Sequence, residues 1–232
     1  MAENYQIVLD KTLRTLQTAG ETPRLLLHSC CAPCSSYVLE YLSRYFFITV
    51  LYYNPNISPS SEYQYRMEEQ QRLIRQMPLT HPVQFRAGDY VPERFAAIAR
   101  GHESDPEGGE RCHACYRLRL EETARIAAAE GYAYFTTALS ISPLKNAAVL
   151  NRIGGELAAQ YGVAYLYSDF KKREGYKRSC ILSKEYGLYR QDYCGCIYSK
   201  AQAAARHAAE TEKLGDDAPV FLKKNAQFSQ KE

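Results

Sequence analysis

The chain has 232 residues, 46% of them hydrophobic, and a formal net charge of +3. That is enough apolar material for one well-filled core, and too small a charge excess to mark a nucleic-acid binder by itself. The first twenty residues mix acids and bases, so no secretory signal is expected, and no stretch approaches the roughly 18 apolar residues of a membrane-spanning helix.

A cytoplasmic protein without a membrane partner is therefore expected. There, eight cysteines would stay reduced and read as metal-binding or catalytic rather than as a disulfide framework. In chain order, residues 4–19 set Ile7, Val8, Leu13 and Leu16 among charges and predict an amphipathic helix. Residues 24–28 read as a short buried strand, followed by Cys30-Cys31-Ala-Pro-Cys34 and a helix over about 35–45. Phe46 to Tyr53 is rich in β-branched and aromatic residues and predicts a second strand, stopped by the turn sequence Asn54-Pro55-Asn56.

A charged helix over 60–77, a third strand over 83–87 and a short helix near 92–100 come next. The breaker-rich loop 101–109 leads into Cys112-x-x-Cys115 and a strong helix over about 114–130. A fourth strand (132–137), a helix over 146–161 in spite of Gly154 and Gly155, and a fifth strand (163–167) continue the alternation. Strands alternating with helices predict an α/β fold: a Rossmann-like, mostly parallel sheet with helices on both faces. One α/β domain over residues 1–210, N-terminal helix included, is expected, with 211–232 a polar, flexible tail.

Seven of the eight cysteines fall into three tight groups. The first follows the first strand, where an open α/β sheet usually keeps its ligand. The pair Cys112 and Cys115 stands at a helix start, whose dipole favours thiolate; alone, the spacing suits zinc, an iron–sulfur cluster or a dithiol. Cys30 and Cys31 are adjacent, awkward for one ion but able to serve two corners of a larger cluster. A purely structural zinc site would leave Cys34, Cys194 and Cys196 unused. A disulfide across Cys194-Gly195-Cys196 would be a small, exchangeable ring, which suits a two-electron carrier; two further metal ligands is the other reading.

Cys34 stays open between cluster ligand, ligand to a second metal and catalytic thiol, and Cys180 reads as a packed small hydrophobe. Lys171, Lys172, Arg173, Lys177 and Arg178 lie within eight residues, with Arg190 beyond them. The run is either a solvated helix face or a patch that neutralises phosphates.

Eight strings, in order between about residues 24 and 199, resemble the QueH family of epoxyqueuosine reductases. They are 25–35 (LLLHSCCAPCS), 53–57 (YNPNI), Glu62-Tyr63 with Arg66, 107–116 (EGGERCHACY), 136–145 (TTALSISPLK), 169–172 (DFKK), 175–179 (GYKRS) and 189–196 (YRQDYCGC). The resemblance implies a cobalamin-independent oxidoreductase of queuosine biosynthesis. Its substrate would be tRNA carrying epoxyqueuosine at the wobble position, deoxygenated to queuosine. It implies a [4Fe–4S] cluster at the carboxyl ends of the strands, in an architecture like that of PP-loop/HUP proteins, with room for a mononuclear iron near Cys34.

On matching positions Cys30, Cys31, Cys112 and Cys115 would hold the cluster, and Cys194 and Cys196 would be the redox-active pair. Lys171, Lys172, Lys177, Arg178 and Arg190 are the expected tRNA contacts, and the electron donor is unidentified. Asp169, Asp192, Tyr193 and His113 are positional candidates for the proton donor, with His28 a helper at the strand end. Two other classes fit parts of the pattern. One is a PP-loop-like tRNA thiolase with an iron–sulfur cluster, although cysteines and a proline stand where phosphate-binding glycines would. The other is a non-catalytic, zinc-stabilised RNA-binding module.

Overall fold

Leu25, Leu26 and Leu27 form the centre of a five-stranded parallel sheet in the computed structural model, which describes residues 3–213. The strands are β1 Arg24–His28, β2 Phe47–Tyr52, β3 Gln84–Ala87, β4 Tyr134–Thr137 and β5 Ala164–Tyr165, in the order β3-β2-β1-β4-β5. This is the expected Rossmann-like α/β class, and the strand order reverses between β1 and β4, where such sheets open a crevice. Around it run α1 Tyr5–Ala19, α2 Ala32–Leu42, α3 Ser60–Gln76, α4 Pro92–Ala99, α5 Glu110–Ala129, α6 Ala147–Tyr161 and α7 Gly175–Glu185.

Period-two alternation along β1 fills both faces of the sheet. Leu25 and Leu27 pack with Leu9, Leu13 and Leu16 of α1 and Val38 and Leu39 of α2. Leu26 points the other way, onto Leu120 and Ala124 of α5 and Leu150 and Ile153 of α6. Each such side chain, fully buried, stabilises the fold by about 1.5–3 kcal/mol, so a strand buried on both sides must read as an unbroken apolar run.

Two helices begin earlier than the sequence pattern suggests. α2 starts at Ala32 because a proline is tolerated in the first turn, which places Cys34 inside the helix. α5 starts at Glu110, so Cys112 and Cys115 lie in its first two turns. Gly154 does not break α6, because it is a contact residue: a Cβ there would fall 2.4 Å from the ring of Tyr165.

By its contacts the chain divides into two units, residues 1–191 and 192–232. Within the second unit the described residues form α8, Ile197–Lys213. Residues 211–213 continue that helix, and the rest of the expected tail lies outside the described residues.

Candidate metal centre

At the carboxyl end of β1 the chain bends at Cys30, passes through an extended Cys31 (φ −169°, ψ 157°) and enters α2. The bend brings neighbouring sulfurs to one side. Cys30 Sγ and Cys31 Sγ are 3.8 Å apart, and Cys34 joins them in a group whose sulfurs all lie within 4.8 Å of one another. A tetrahedral ion with metal–sulfur bonds of about 2.3 Å holds its sulfurs about 3.8 Å apart. The separation of this adjacent pair is one that such an ion could span. Gln70 of α3 pins the loop: its Oε1 accepts from Ser29 Oγ at 2.8 Å and Ser35 Oγ at 2.7 Å, on either side of the three thiols. Asn54 adds an Nδ2 donor to the Ser29 carbonyl at 2.8 Å.

The three thiols share their protons unequally. Cys31 is held well below the ordinary thiol range, first by hydrogen bonding from Cys30 and Cys34, then, against burial, by the charge of Arg66. Cys30, as donor to Cys31, is pushed up to about 11, and Cys34 is raised well above its usual value, chiefly by its interaction with Cys30. Of the three, Cys31 is the sulfur whose thiolate form the surroundings favour.

Two buried arginines act on these thiols and a third holds the loop before α5; none is marked by the cysteine spacing alone. Arg66 of α3 is 1% exposed and pairs with Glu62 at 2.7 Å. Arg119 of α5 is 0% exposed and donates from Nε to the Cys115 carbonyl at 3.1 Å. Arg111 organises the loop before α5, donating from Nη1 to the carbonyls of His102 (2.8 Å), Glu103 (2.9 Å) and Asp105 (2.7 Å). One signal was available in the sequence: Cys112, Cys115 and Arg119 are spaced three and four residues apart, so they share one helix face.

Cys112 accepts the Gly108 amide at 3.3 Å and packs against the same buried cluster as Cys30 and Cys31. Cys115, one turn further along, is also buried. The donor set is therefore soft, sulfur-rich and countered by buried cations, which suits iron–sulfur or zinc chemistry rather than a hard oxygen-loving ion.

His28 is held neutral at the end of β1. Burial, followed by the charge of Arg119, pushes it down to about 4. Its Nδ1 faces Thr137 Oγ1 at 2.9 Å and its Nε2 the Tyr53 carbonyl at 3.2 Å. It ties β1 to β4 and to the end of β2 as a neutral ring. Asp169 pairs with Lys171 at 2.8 Å, and His113 faces Glu110 at 3.2 Å.

Most of the basic run is also paired within the fold: Lys177 with Glu174 at 3.1 Å, Arg178 with Glu40 at 2.6 Å and Glu185 at 3.2 Å, and Arg173 with Asp10. Lys172 and Arg190 are exposed. Pairs of this kind that lie at the surface are worth little.

In the second unit, Gly195 adopts φ 126°, a region that favours glycine, between Cys194 and Cys196. Cys196 is buried at the start of α8, where its Sγ accepts from the Ser199 amide at 3.4 Å; Cys194 is half-buried. Asp192 pairs with His207 at 2.9 Å, and Lys200 Nζ lies 6.0 Å from the centre of the Tyr193 ring.

A family model described as "Epoxyqueuosine reductase QueH" matches residues 25–202. The chain is 41% identical over 223 residues to the epoxyqueuosine reductase QueH of Staphylococcus epidermidis, covering 94% of this chain and 92% of that one. With the protein of the same description from Streptococcus pyogenes the identity is 40% over 221 residues, covering 94% and 85%. With that from Thermotoga maritima it is 34% over 197 residues, covering 82% and 97%.

Proposed function

The chain belongs to the QueH family of epoxyqueuosine reductases, and from that membership we propose that it is the oxidoreductase that deoxygenates epoxyqueuosine in tRNA to queuosine. The observation that supports this most directly is the convergence of three thiols beside β1, at the point where an open α/β sheet presents its ligand. A cytoplasmic setting goes with a tRNA substrate, and no described helix is long and apolar enough to cross a membrane.

The reaction breaks both C–O bonds of the epoxide, forms a C=C bond and releases the oxygen as water. That takes two electrons and two protons. We assign them to Cys194 and Cys196, which give up two electrons and two protons as they become a disulfide, so the step balances as epoxide plus dithiol to alkene, disulfide and water. An unidentified external electron donor then restores the dithiol.

Cys30, Cys31, Cys112 and Cys115 are assigned to hold a [4Fe–4S] cluster, which when bound supplies one-electron transfer and Lewis-acidic iron. Cys34, close beside the first pair, is assigned to a neighbouring mononuclear iron. Arg66 and Arg119 offset the negative charge of the thiolates, and Gln70 keeps their loop in place. Lys171, Lys172, Lys177, Arg178 and Arg190 are assigned to the tRNA backbone, each phosphate contact adding to the salt dependence of binding.

Two measurements test this reading. Anaerobic iron and acid-labile sulfide analysis is expected to give a cluster's equal amounts of both; stoichiometric zinc without sulfide would favour the RNA-binding module instead. Cys196→Ser is expected to abolish turnover while leaving the visible absorbance of the cluster intact, and unimpaired turnover would remove the dithiol from the mechanism.

A further inference from the structure

We infer that residues 186–190, with one tyrosine on either side, form a stacking platform for unpaired bases of the tRNA anticodon loop. This deepens the functional reading above and rests on its tRNA substrate.

The segment is held more firmly than a surface connection needs to be. From α3, Arg72 donates to the carbonyls of Tyr186 at 3.0 Å and Gly187 at 3.3 Å, and Glu69 accepts the Tyr189 amide at 3.0 Å. On its other side, Arg190 Nη1 donates to Ser183 Oγ of α7 at 3.1 Å. Held this way, the segment displays a row of planar groups. Tyr189 stands edge-on to Tyr65 of α3, with ring centres 5.0 Å apart and planes at 72°. The next residue, Arg190, sets its guanidinium 5.9 Å from the ring centre of Tyr176 on α7. Tyr65 is 50% exposed and Tyr176 39%, so the two ends of the row face solvent.

Aromatic planes alternating with a guanidinium are what single-stranded RNA uses. Every base has a π-face, and unpaired loop bases can splay onto tyrosine rings or arginine planes without breaking a duplex. Charge points to the same partner. Lys171, Lys177 and Arg178 are paired with carboxylates, whereas Arg190 has no carboxylate partner among the described residues. The location agrees as well. Tyr65 lies in the second turn of α3, the helix that follows β2, and β2 pairs directly with β1, the strand that leads into the Cys30 loop. A rigid row of this kind loses little conformational entropy on binding, which is the use of clamping it from both helices.

The test is the affinity for an unmodified anticodon stem-loop RNA, followed by fluorescence anisotropy over a range of salt concentrations. Tyr65→Ala and Tyr176→Ala are each expected to weaken binding roughly 5- to 150-fold without changing its salt slope. Tyr65→Phe and Tyr176→Phe should bind like the wild type, since the ring rather than the hydroxyl does the stacking. Arg190→Ala should weaken binding and also reduce the salt slope by about one. Phe47→Ala, which removes an exposed aromatic ring at the amino end of β2, should change nothing.

Alanine variants that bind like the wild type, or phenylalanine variants as weak as the alanines, would overturn the platform. Turnover of epoxyqueuosine-containing tRNA by the cluster-loaded wild type, run in parallel, separates the two levels. Turnover with normally binding alanine variants removes the platform and leaves the enzyme. No turnover removes the enzymatic reading, while the anisotropy still decides the platform.

Discussion

Arg66 brings a full positive charge into the interior beside the thiols, with Glu62 as its carboxylate partner at 2.7 Å. Truncating one member of a buried pair costs about 3–5 kcal/mol, because the other is left without its counter-charge. Glu62 is 14% exposed and can recover some hydration, so Arg66→Met is expected near the lower end, a loss of about 3 kcal/mol in urea unfolding. If Arg66 also offsets thiolate charge, the same variant should retain less iron and sulfide after anaerobic reconstitution, and Arg66→Lys should recover part of it, since the charge remains while the planar fork is lost. Full iron loading in Arg66→Met would leave the residue a packing role alone. His28 is the contrasting case: a titratable side chain near the thiols that burial holds as a neutral ring and that ties the strands together.

The clamp between α3 and residues 186–189 is strongest while Glu69 is ionised. Its hydrogen bond with Arg72, opposed by burial and helped by the Tyr189 amide, holds this carboxyl below the usual range. A depressed folded-state pKa means that the contribution is fully present above the unfolded value of about 4.3 and is lost as pH falls through the folded one. Glu69→Gln should therefore cost about 1 kcal/mol at pH 7, and its deficit against the wild type should shrink at pH 3, as read from urea midpoints at both values. A second substitution tests helix against packing. Gly154→Ala gains about 1 kcal/mol of helix propensity. Its Cβ would meet the ring of Tyr165 at 2.4 Å, and that ring is 5% exposed with nowhere to move. Overpacking of this kind costs about 1–3 kcal/mol, so packing wins and thermal unfolding should show net destabilisation. These elements were not equally legible in the sequence. β1 and β2 announce themselves as largely apolar runs because both of their faces are buried. The start of α5 is hidden because Gly109 caps it without a side chain, and α7 because its cap, Glu174, sits at φ 60° and makes no side-chain cap hydrogen bond.

At the scale of the whole molecule, the strand order puts β1 at the centre of the sheet, so the loop after it opens beside the reversal between β1 and β4. The cysteine groups and the α/β alternation are visible in the sequence because each is a local pattern. Gln70, Arg66 and Arg119 are not, because their importance depends on which faces α3 and α5 turn inward, a property of packing rather than of spacing. The proposed division of the thiols into a metal-holding set and a redox pair makes a prediction about folding. A group that binds the native state and not the unfolded chain stabilises by its excess over its dissociation constant, about 3–4 kcal/mol at a hundred to a thousand times that value. For a chain of this size that is roughly 5–15 °C in Tm. Anaerobic reconstitution should therefore raise the Tm of the wild type, and Cys30→Ser should lose that rise. Cys196→Ser should keep all of it while losing turnover, because its sulfur is not needed to hold the metal. If Cys196→Ser forfeited the rise as well, the pair would be ligands, and the electrons would have to come from elsewhere.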